Sequence, residues 1–354
     1  MDLTLDKYEY VGAVHMHSNF SDGSGDAGEI AEIANEVGLD FIILTDHNTL
    51  RALHEGFEGF YGKTFMMVGC EINDKENKNH YIALGIDETI STRLPAKEYV
   101  KEVKEAGGIG FLAHPHEKRN SMKEHPPYPW TEWDTDDFTG IEIWNHMSEW
   151  MENLTEQNKY QSFLHPLKTI VSPPEETLRV WDKLSLKRKV VGIGGIDAHA
   201  HKVNVLGFVE VEVFPYKVLF KSIRTHILTD KNFVIDSGKD NIVATKEIIL
   251  SALKYGNCFI SNSYHGDASG FRFYIEKDDK FYGMGDTVPF DTVLTLKVLL
   301  PGNRGTVKVI KNGVCVSVLR DNQSKFDVDS PGVYRVEVYL GEKAWIFSNH
   351  IRIE

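Results

Sequence analysis

Cysteine is scarce in this chain: 354 residues contain only Cys70, Cys258 and Cys315. Three thiols so far apart exclude a disulfide framework and a CxxC metal site, and point to a reducing compartment. Long apolar runs are missing too. No stretch approaches the roughly 18 uncharged apolar residues of a membrane span. Met1 to Tyr10 carries Asp2, Asp6, Lys7 and Glu9 and reads as no secretory leader. Positive charge is in deficit, with 39 Lys and Arg against 52 Asp and Glu, a net of −13. That balance argues against a surface that coats nucleic acid, which works by neutralising phosphates. The expectation is an acidic, cytoplasmic protein without membrane attachment. Its length favours two domains over one core, and 42% hydrophobic residues suffice to fill them.

The first two-thirds alternate strand-like and helix-like segments. Tyr10 to His17 reads as a strand, and Asp26 to Gly38 as a helix with Ala27, Ile30, Ala31, Ala34 and Val37 on one face. Short apolar strands follow at Phe41 to Leu44, Phe65 to Glu71, Tyr81 to Gly85, Ile109 to Ala113, Ile141 to Trp144 and Val190 to Ile193. Pro95 to Ala106 forms another helix. Repeated βα units imply parallel strands with helices outside, hence a barrel or an open α/β sheet. Residues 115–139, rich in Pro, His and aromatics, read as a loop over a site. From about Gly266 the pattern changes to short strands with turn residues between them, including the hairpin signal Asn312-Gly313. This tail predicts a small antiparallel β-sandwich. The expected division is residues 1–262 and 263–354.

Ligand-type residues recur where the predicted strands end. His15 and His17 close the first strand, where i and i+2 share a face, and Asp22 returns from the next turn. His47 follows the second strand, Glu71 ends the third and His80 precedes the fourth. His114 follows Ile109 to Ala113, and Asp197 and His199 follow Val190 to Ile193. In parallel α/β folds these ends share one face, where loops build a site. Nine N and O donors exceed the needs of one ion and suit two or three. Asp46, next to a ligand in a strand, faces the other way and reads as hydrogen-bond support. Ser21 and Asn48 fit turn or capping roles.

The set His15-x-His17-x4-Asp22-Gly23, Thr45-Asp46-His47-Asn48, Gly69-Cys70-Glu71, Ala113-His114-Pro115 and Asp197-Ala198-His199 resembles the polymerase-and-histidinol-phosphatase (PHP) family of metal-dependent phosphoesterases. The resemblance runs over about residues 8–262. It implies a distorted seven-stranded βα barrel with a di- or trinuclear centre, here followed by an immunoglobulin-like sandwich. By motif, His15, His17, Glu71 and Asp197 would hold one ion. Glu71 would bridge to a second, completed by His80 and His114, while Asp22, His47 and His199 would hold the third. Glu142 or His146 stands as an alternative ligand of the middle site. These donors without thiolates suit Zn, Mn or Fe.

The chemistry such donors suit is phosphoester hydrolysis by a hydroxide bridging two ions, since a metal lowers the pKa of water from about 15.7 towards about 7. The expected substrate is a small-molecule or nucleotide phosphate ester, with inorganic phosphate as product. Arg119 and Lys118, after His114-Pro115-His116, are candidate phosphate clamps, and His116 a candidate substrate contact. His125, His146 and His201 lie near the motifs without matching a position, and read as substrate contacts or as structural residues. His54, His165, His226, His265 and His350 read as structural or exposed. Two other readings stand beside the first: a phosphodiesterase or exonuclease on polynucleotide, and a binding module acting through the C-terminal β region.

Overall fold

The computed structural model describes residues 7–119, 126–205, 209–291, 293–302 and 305–354. His125 lies outside the described residues. The N-terminal part is α/β, as expected, but its strands form two mixed sheets. The first contains, in spatial order, Cys258–Asn262, Ile223–Thr229, Tyr8–Val14, Phe41–Leu44, Thr64–Val68 and Gly59–Tyr61. The second runs Cys70–Ile72, Tyr81–Leu84, Ile109–Leu112, Gly140–Asn145 and Val191–Gly195. Tyr8–Val14 pairs in parallel with Phe41–Leu44 across the helix Ala27–Val37, whereas Tyr81–Leu84 pairs antiparallel with Ile109–Leu112 across the helix Ala96–Glu105, and Ile223–Thr229 with Cys258–Asn262 across the helix Lys239–Tyr255. Cys70–Ile72 returns to Tyr81–Leu84 through residues 73–80 alone, too short for a crossover, and the pair is antiparallel.

A closed seven-stranded barrel is therefore not what the chain builds. The predicted strand Phe65 to Glu71 breaks at Gly69 and contributes to both sheets. A Cβ at Gly69 would lie 2.4 Å from Leu84 Cδ2 and 2.8 Å from the Ala83 carbonyl, so only glycine lets the chain cross there. At the opposite seam, the Thr225 hydroxyl takes the N–H of Gly194 (3.0 Å) and donates to its carbonyl (2.9 Å). A side chain stands where a backbone ladder would close the sheets. The two sheets still bring their chain ends to one side, because Tyr81–Leu84, the antiparallel member, carries His80 at its start.

Helix ends match their sequence signals. Asp26 accepts from the N–H groups of Gly28 and Glu29, and Gly38 closes the helix at φ 81°. Among the described residues no helix is long and apolar enough to cross a membrane.

The C-terminal region is all β. Lys280–Gly283, Arg272–Lys277, Leu294–Leu299 and Gln323–Val328 form a four-stranded sheet. It packs through Phe273, Ile275, Leu296 and Val298 against Val307, Val309, Val336, Val338 and Trp345 of a second layer. That second layer does not stand apart. Its strand Lys343–Ser348 pairs antiparallel with Cys258–Asn262, so the first α/β sheet continues into the C-terminal region.

A buried ion pair reinforces this continuity. Arg335 in Gly332–Leu340 grips Asp182 of the helix Glu175–Ser185 with both carboxylate oxygens, at 2.7 and 2.8 Å, and also bonds Glu337 at 2.7 Å. His350 reaches the same carboxylate at 2.9 Å. Burial alone would raise the Asp182 carboxyl, but Arg335 and His350 bring it down to about 2. Its folded value is thus below the ordinary carboxylate range, so the stabilisation is present above pH of about 4 and fades as pH falls towards about 2. Asp182→Ala is expected to cost about 3 kcal/mol near pH 7, the lower end for a broken buried pair because Glu337 remains. The difference from wild type should shrink below pH of about 4. Urea denaturation across pH checks both, and a pH-independent difference would refute the assignment.

Candidate metal centre

The centre is built where the two sheets bring their chain ends together. Tyr8–Val14 stops at Val14, and His15 turns into the left-handed region at φ 67°. The strand periodicity that pairs His15 with His17 therefore does not hold. Their rings converge because the backbone is threaded between two neighbours. Ile196 and Asp197 donate to the Val14 and His15 carbonyls at 3.0 and 2.8 Å, His17 donates to Ala198 at 2.9 Å, and Thr45 donates to Met16 at 2.8 Å. His114 (φ 29°) and Asp197 (φ 52°) are also left-handed. Each such residue costs of order 1–2 kcal/mol, a cost the surrounding hydrogen bonds must offset.

Glu71 is at the middle, almost fully buried. Its Oε2 lies 3.1 Å from His15 Nε2, 3.2 Å from His17 Nε2 and 3.4 Å from His47 Nδ1. Its Oε1 lies 2.8 Å from His80 Nδ1 and 3.3 Å from His114 Nε2. Asp197 Oδ1 stands 3.5 Å from His15 Nε2 and 3.4 Å from His17 Nε2. At the rim, half-exposed Asp22 lies 3.4 Å from His199 Nε2 and 3.7 Å from both His17 Nδ1 and His47 Nε2. The His17 ring is stacked between those of His47 and His199, at 4.4 and 4.2 Å. All nine predicted donors thus fall in one contiguous cluster.

Four overlapping groups have donor atoms within 4.8 Å of one another: His15, His17 and Glu71; His15, His114 and Asp197; His47, Glu71 and His80; and His17, Asp22, His47 and His199. Three details differ from the motif assignment. His114 groups with His15 and Asp197, His47 joins Glu71 and His80 as well as the rim group, and His17 reaches the rim group as well as the buried one.

These residues fit bound cations. His15 Nε2, both nitrogens of His17, His47 Nδ1, His80 Nε2 and His114 Nδ1 are buried without a hydrogen-bond partner, a costly state for polar atoms left empty-handed. Several face a carboxylate oxygen at 3.1–3.5 Å without hydrogen-bond geometry. Two ligands of one ion at bond lengths of about 2.1 Å stand about 3.0–3.4 Å apart, so this spacing is what a shared cation produces. The electrostatics agree. Burial pushes the Glu71 carboxyl up, but His15, His47, His80 and His114 hold it well below its ordinary value. Burial opposes charge on His17 and His114, yet their carboxylate neighbours raise them to about 10 and about 9. His47, where burial dominates, falls to about 4.

A supporting layer holds the donors. Glu142, in Gly140–Asn145, bonds His15 Nδ1 at 2.9 Å and accepts from the His114 N–H (2.8 Å) and Asn145 (2.9 Å). It stands behind His15, in none of the four donor groups. His146 is also outside them, fully buried with neither ring nitrogen paired. Gly195 makes room for the Glu142 contact, since a Cβ there would sit 1.9 Å from Glu142 Oε1 and 2.9 Å from His15 Cβ. Asp46 does not reach the donors. It accepts from the Ser18 N–H and hydroxyl (both 2.7 Å) and the Ser21 hydroxyl (2.6 Å), which fixes the turn leading to Asp22.

Sequence reasoning missed three contributors. Tyr216 donates to the His17 carbonyl at 2.7 Å and lies 3.1 Å from that of His199, joining segments that no motif links. Glu117 is buried, 4.0 Å from His114 Nδ1, and binds Arg119 through Nε (2.9 Å) and Nη2 (2.7 Å). Its signal was present, a carboxylate three residues after a ligand and two before an arginine. Tyr128 stacks on His80 at 5.0 Å and carries the Arg119 guanidinium 4.8 Å from its ring centroid.

The candidate phosphate-contacting residues separate. Arg119 lines a cavity of about 310 Å³ together with Asp22, His47, Glu71, His114 and Asp197. Lys118 is exposed and paired with Glu176 at 3.4 Å, and His116 bonds Thr177 and stacks on Trp133. Neither of these two lines that cavity. His201 does, whereas His226 and His350 are structural, bonded to Glu9 and Asp182.

A fold that collects imidazole and carboxylate donors in this manner is that of a metal-binding α/β protein. More particularly, residues 13–162 match the family model of the PHP domain. An uncharacterized protein of Methanocaldococcus jannaschii is 30% identical over 99 residues, covering 27% of this chain and 56% of its own length. The chain thus matches little more than half of that relative. A two-domain Bacteroides vulgatus protein containing a predicted PHP-like metal-dependent phosphoesterase is 14% identical, with a TM-score of 0.46 over 98% of this chain and 96% of its own. A Bifidobacterium adolescentis protein provisionally assigned as a metal-dependent phosphoesterase is 17% identical, with a TM-score of 0.38 over 57% of this chain and 92% of its own.

If Glu142 orients His15, Glu142→Gln should weaken divalent-ion binding by about 10–100-fold while leaving the fold intact. Competition with a chromophoric chelator, with circular dichroism as control, measures this. Unchanged affinity would remove Glu142 from the supporting layer.

Proposed function

We infer that the protein is a metal-dependent phosphoesterase that hydrolyses a small-molecule or nucleotide phosphate ester. The observation that carries this reading is the Glu71 carboxylate, with one oxygen among His15, His17 and His47 and the other between His80 and His114. Such a carboxylate suits neighbouring cations, and paired cations suit phosphoryl transfer. His15, His17, Glu71, His114 and Asp197 would hold the buried ions, Glu71 and His80 the shared side, and Asp22, His47 and His199 the rim. Zn, Mn and Fe all accept these donors. Bound there, they would polarise phosphoryl oxygens and bring water close to ionisation at neutral pH.

The chain's own residues do the rest. The buried walls keep bulk water from the donors, and Glu142 and Asp46 keep the donor-bearing segments in place. Arg119, held by Glu117 and set over the Tyr128 ring, offers a guanidinium to a non-bridging oxygen, where a bidentate group discriminates for phosphate. The division near residue 262, and a cytoplasmic location consistent with three free cysteines, belong to the same proposal. A polynucleotide substrate is disfavoured by the net charge of −13.

Purified protein reloaded with Mn or Zn should release phosphate from an aryl phosphate, and chelation should stop it. Glu71→Gln should reduce turnover by more than about 100-fold, beyond the effect typical of an outer residue. Full activity in that variant would end the metal mechanism, and faster cleavage of an oligonucleotide than of mononucleotides would reverse the substrate assignment.

A further inference from the structure

The cavity above the donors has two unlike sides. One is the cluster with Arg119. The other comes from the helix His146–Asn153, the helix Lys159–Leu164 and the segment before Pro215, and its described lining residues are Met147, Trp150, Met151, Phe163, Val213 and Phe214. All six are apolar or aromatic. Trp150 packs edge-on against Phe163 at 4.9 Å and Phe214 at 4.6 Å, and the two phenyl rings are nearly parallel at 5.8 Å. Trp150 has already spent its one donor on the Ser162 carbonyl at 3.1 Å. These six side chains therefore offer no strong hydrogen-bonding group to a hydroxyl seated on Phe163; the polar lining residue beside them is His201, whose carbonyl accepts from the Val213 N–H at 2.8 Å.

Phe163 is the unusual member. Trp150 and Phe214 are almost fully buried, whereas Phe163 remains 44% exposed at the edge of the cavity. The spacing of 5.8 Å leaves no room for a ring between the two phenyls, so a ligand would lie against Phe163 and complete the cluster. A sugar or polyol placed there would lose its water hydrogen bonds without replacement. A flat apolar group would lose nothing and gain contact area.

Resting on the phosphoesterase reading, we propose that the substrate's alcohol portion carries a flat apolar group, aryl or arylalkyl, seated against Phe163, and that Phe163 sets this preference over polyol phosphates. Esters of matched leaving-group chemistry test it: 2-phenylethyl phosphate against glycerol phosphate, with Mn-loaded protein. The first should have the higher kcat/KM. Phe163→Ala should raise its KM by about 2- to 12-fold, the value of one aromatic contact, and leave glycerol phosphate unaffected. Phe163 is exposed enough that its loss should not unfold the chain. Binding of 2-phenylethylphosphonate, followed by tryptophan fluorescence, gives a readout without turnover. Equal rates for both esters, or equal effects of Phe163→Ala on both, would overturn the wall while the phosphoesterase reading stands. Phosphonate binding that weakens in Phe163→Ala, with neither ester cleaved, would uphold the wall and overturn the reaction.

Discussion

Everything at this centre depends on one carboxylate. Glu71 is buried among five imidazoles, two on one oxygen and three on the other. An isolated charge in that position is very costly, so its neighbours must supply compensating positive charge, as protons or as cations. Three different chain ends and a hairpin start have to arrive within hydrogen-bonding distance of one side chain. Left-handed backbone at His15, His114 and Asp197 is the conformational cost of that convergence. It is sustained because neighbouring backbone amides are locked across it.

The supporting groups explain why so many polar residues can be buried here. Glu142 ties His15 to the chain at His114, Asp46 ties two serines, and Tyr216 ties His17 and His199. Each joins segments distant in sequence. Above it the cavity divides into a charged floor and an apolar wall.

The all-β region is structurally part of this arrangement. Besides the shared sheet and the Asp182–Arg335 pair, Asn349 uses its side-chain amide to accept from the Gly192 N–H at 2.7 Å and donate to the Gly192 carbonyl at 2.8 Å. It thereby extends the strand Val191–Gly195, which runs directly into Asp197. The C-terminal strands thus brace the element that delivers Asp197 to the donor cluster, a mechanical role available to a region with no donor cluster of its own among the described residues.

All nine donor positions were legible in the sequence because each lies in a short motif beside an apolar strand, and strand ends are local signals. The α/β pattern, the capped helix Ala27–Val37 and the β tail were legible for the same reason. Periodicity left closure open, between a barrel and an open sheet, and the closed barrel implied by the family resemblance is not formed. Periodicity could not register that Gly69 carries the chain from one sheet to the other, or that the Thr225 hydroxyl replaces a ladder. Glu142 and Glu117 illustrate the remainder: a carboxylate in an apolar strand signals a partner without naming it, and only packing decides between ligand and support. The apolar wall came from helices and a loop with no motif. By itself the sequence determined which donor residues stand beside which strands, since both are properties of near neighbours. Tertiary structure alone decided which atoms face one another, because distances between segments far apart in sequence are set by the packing of the whole chain.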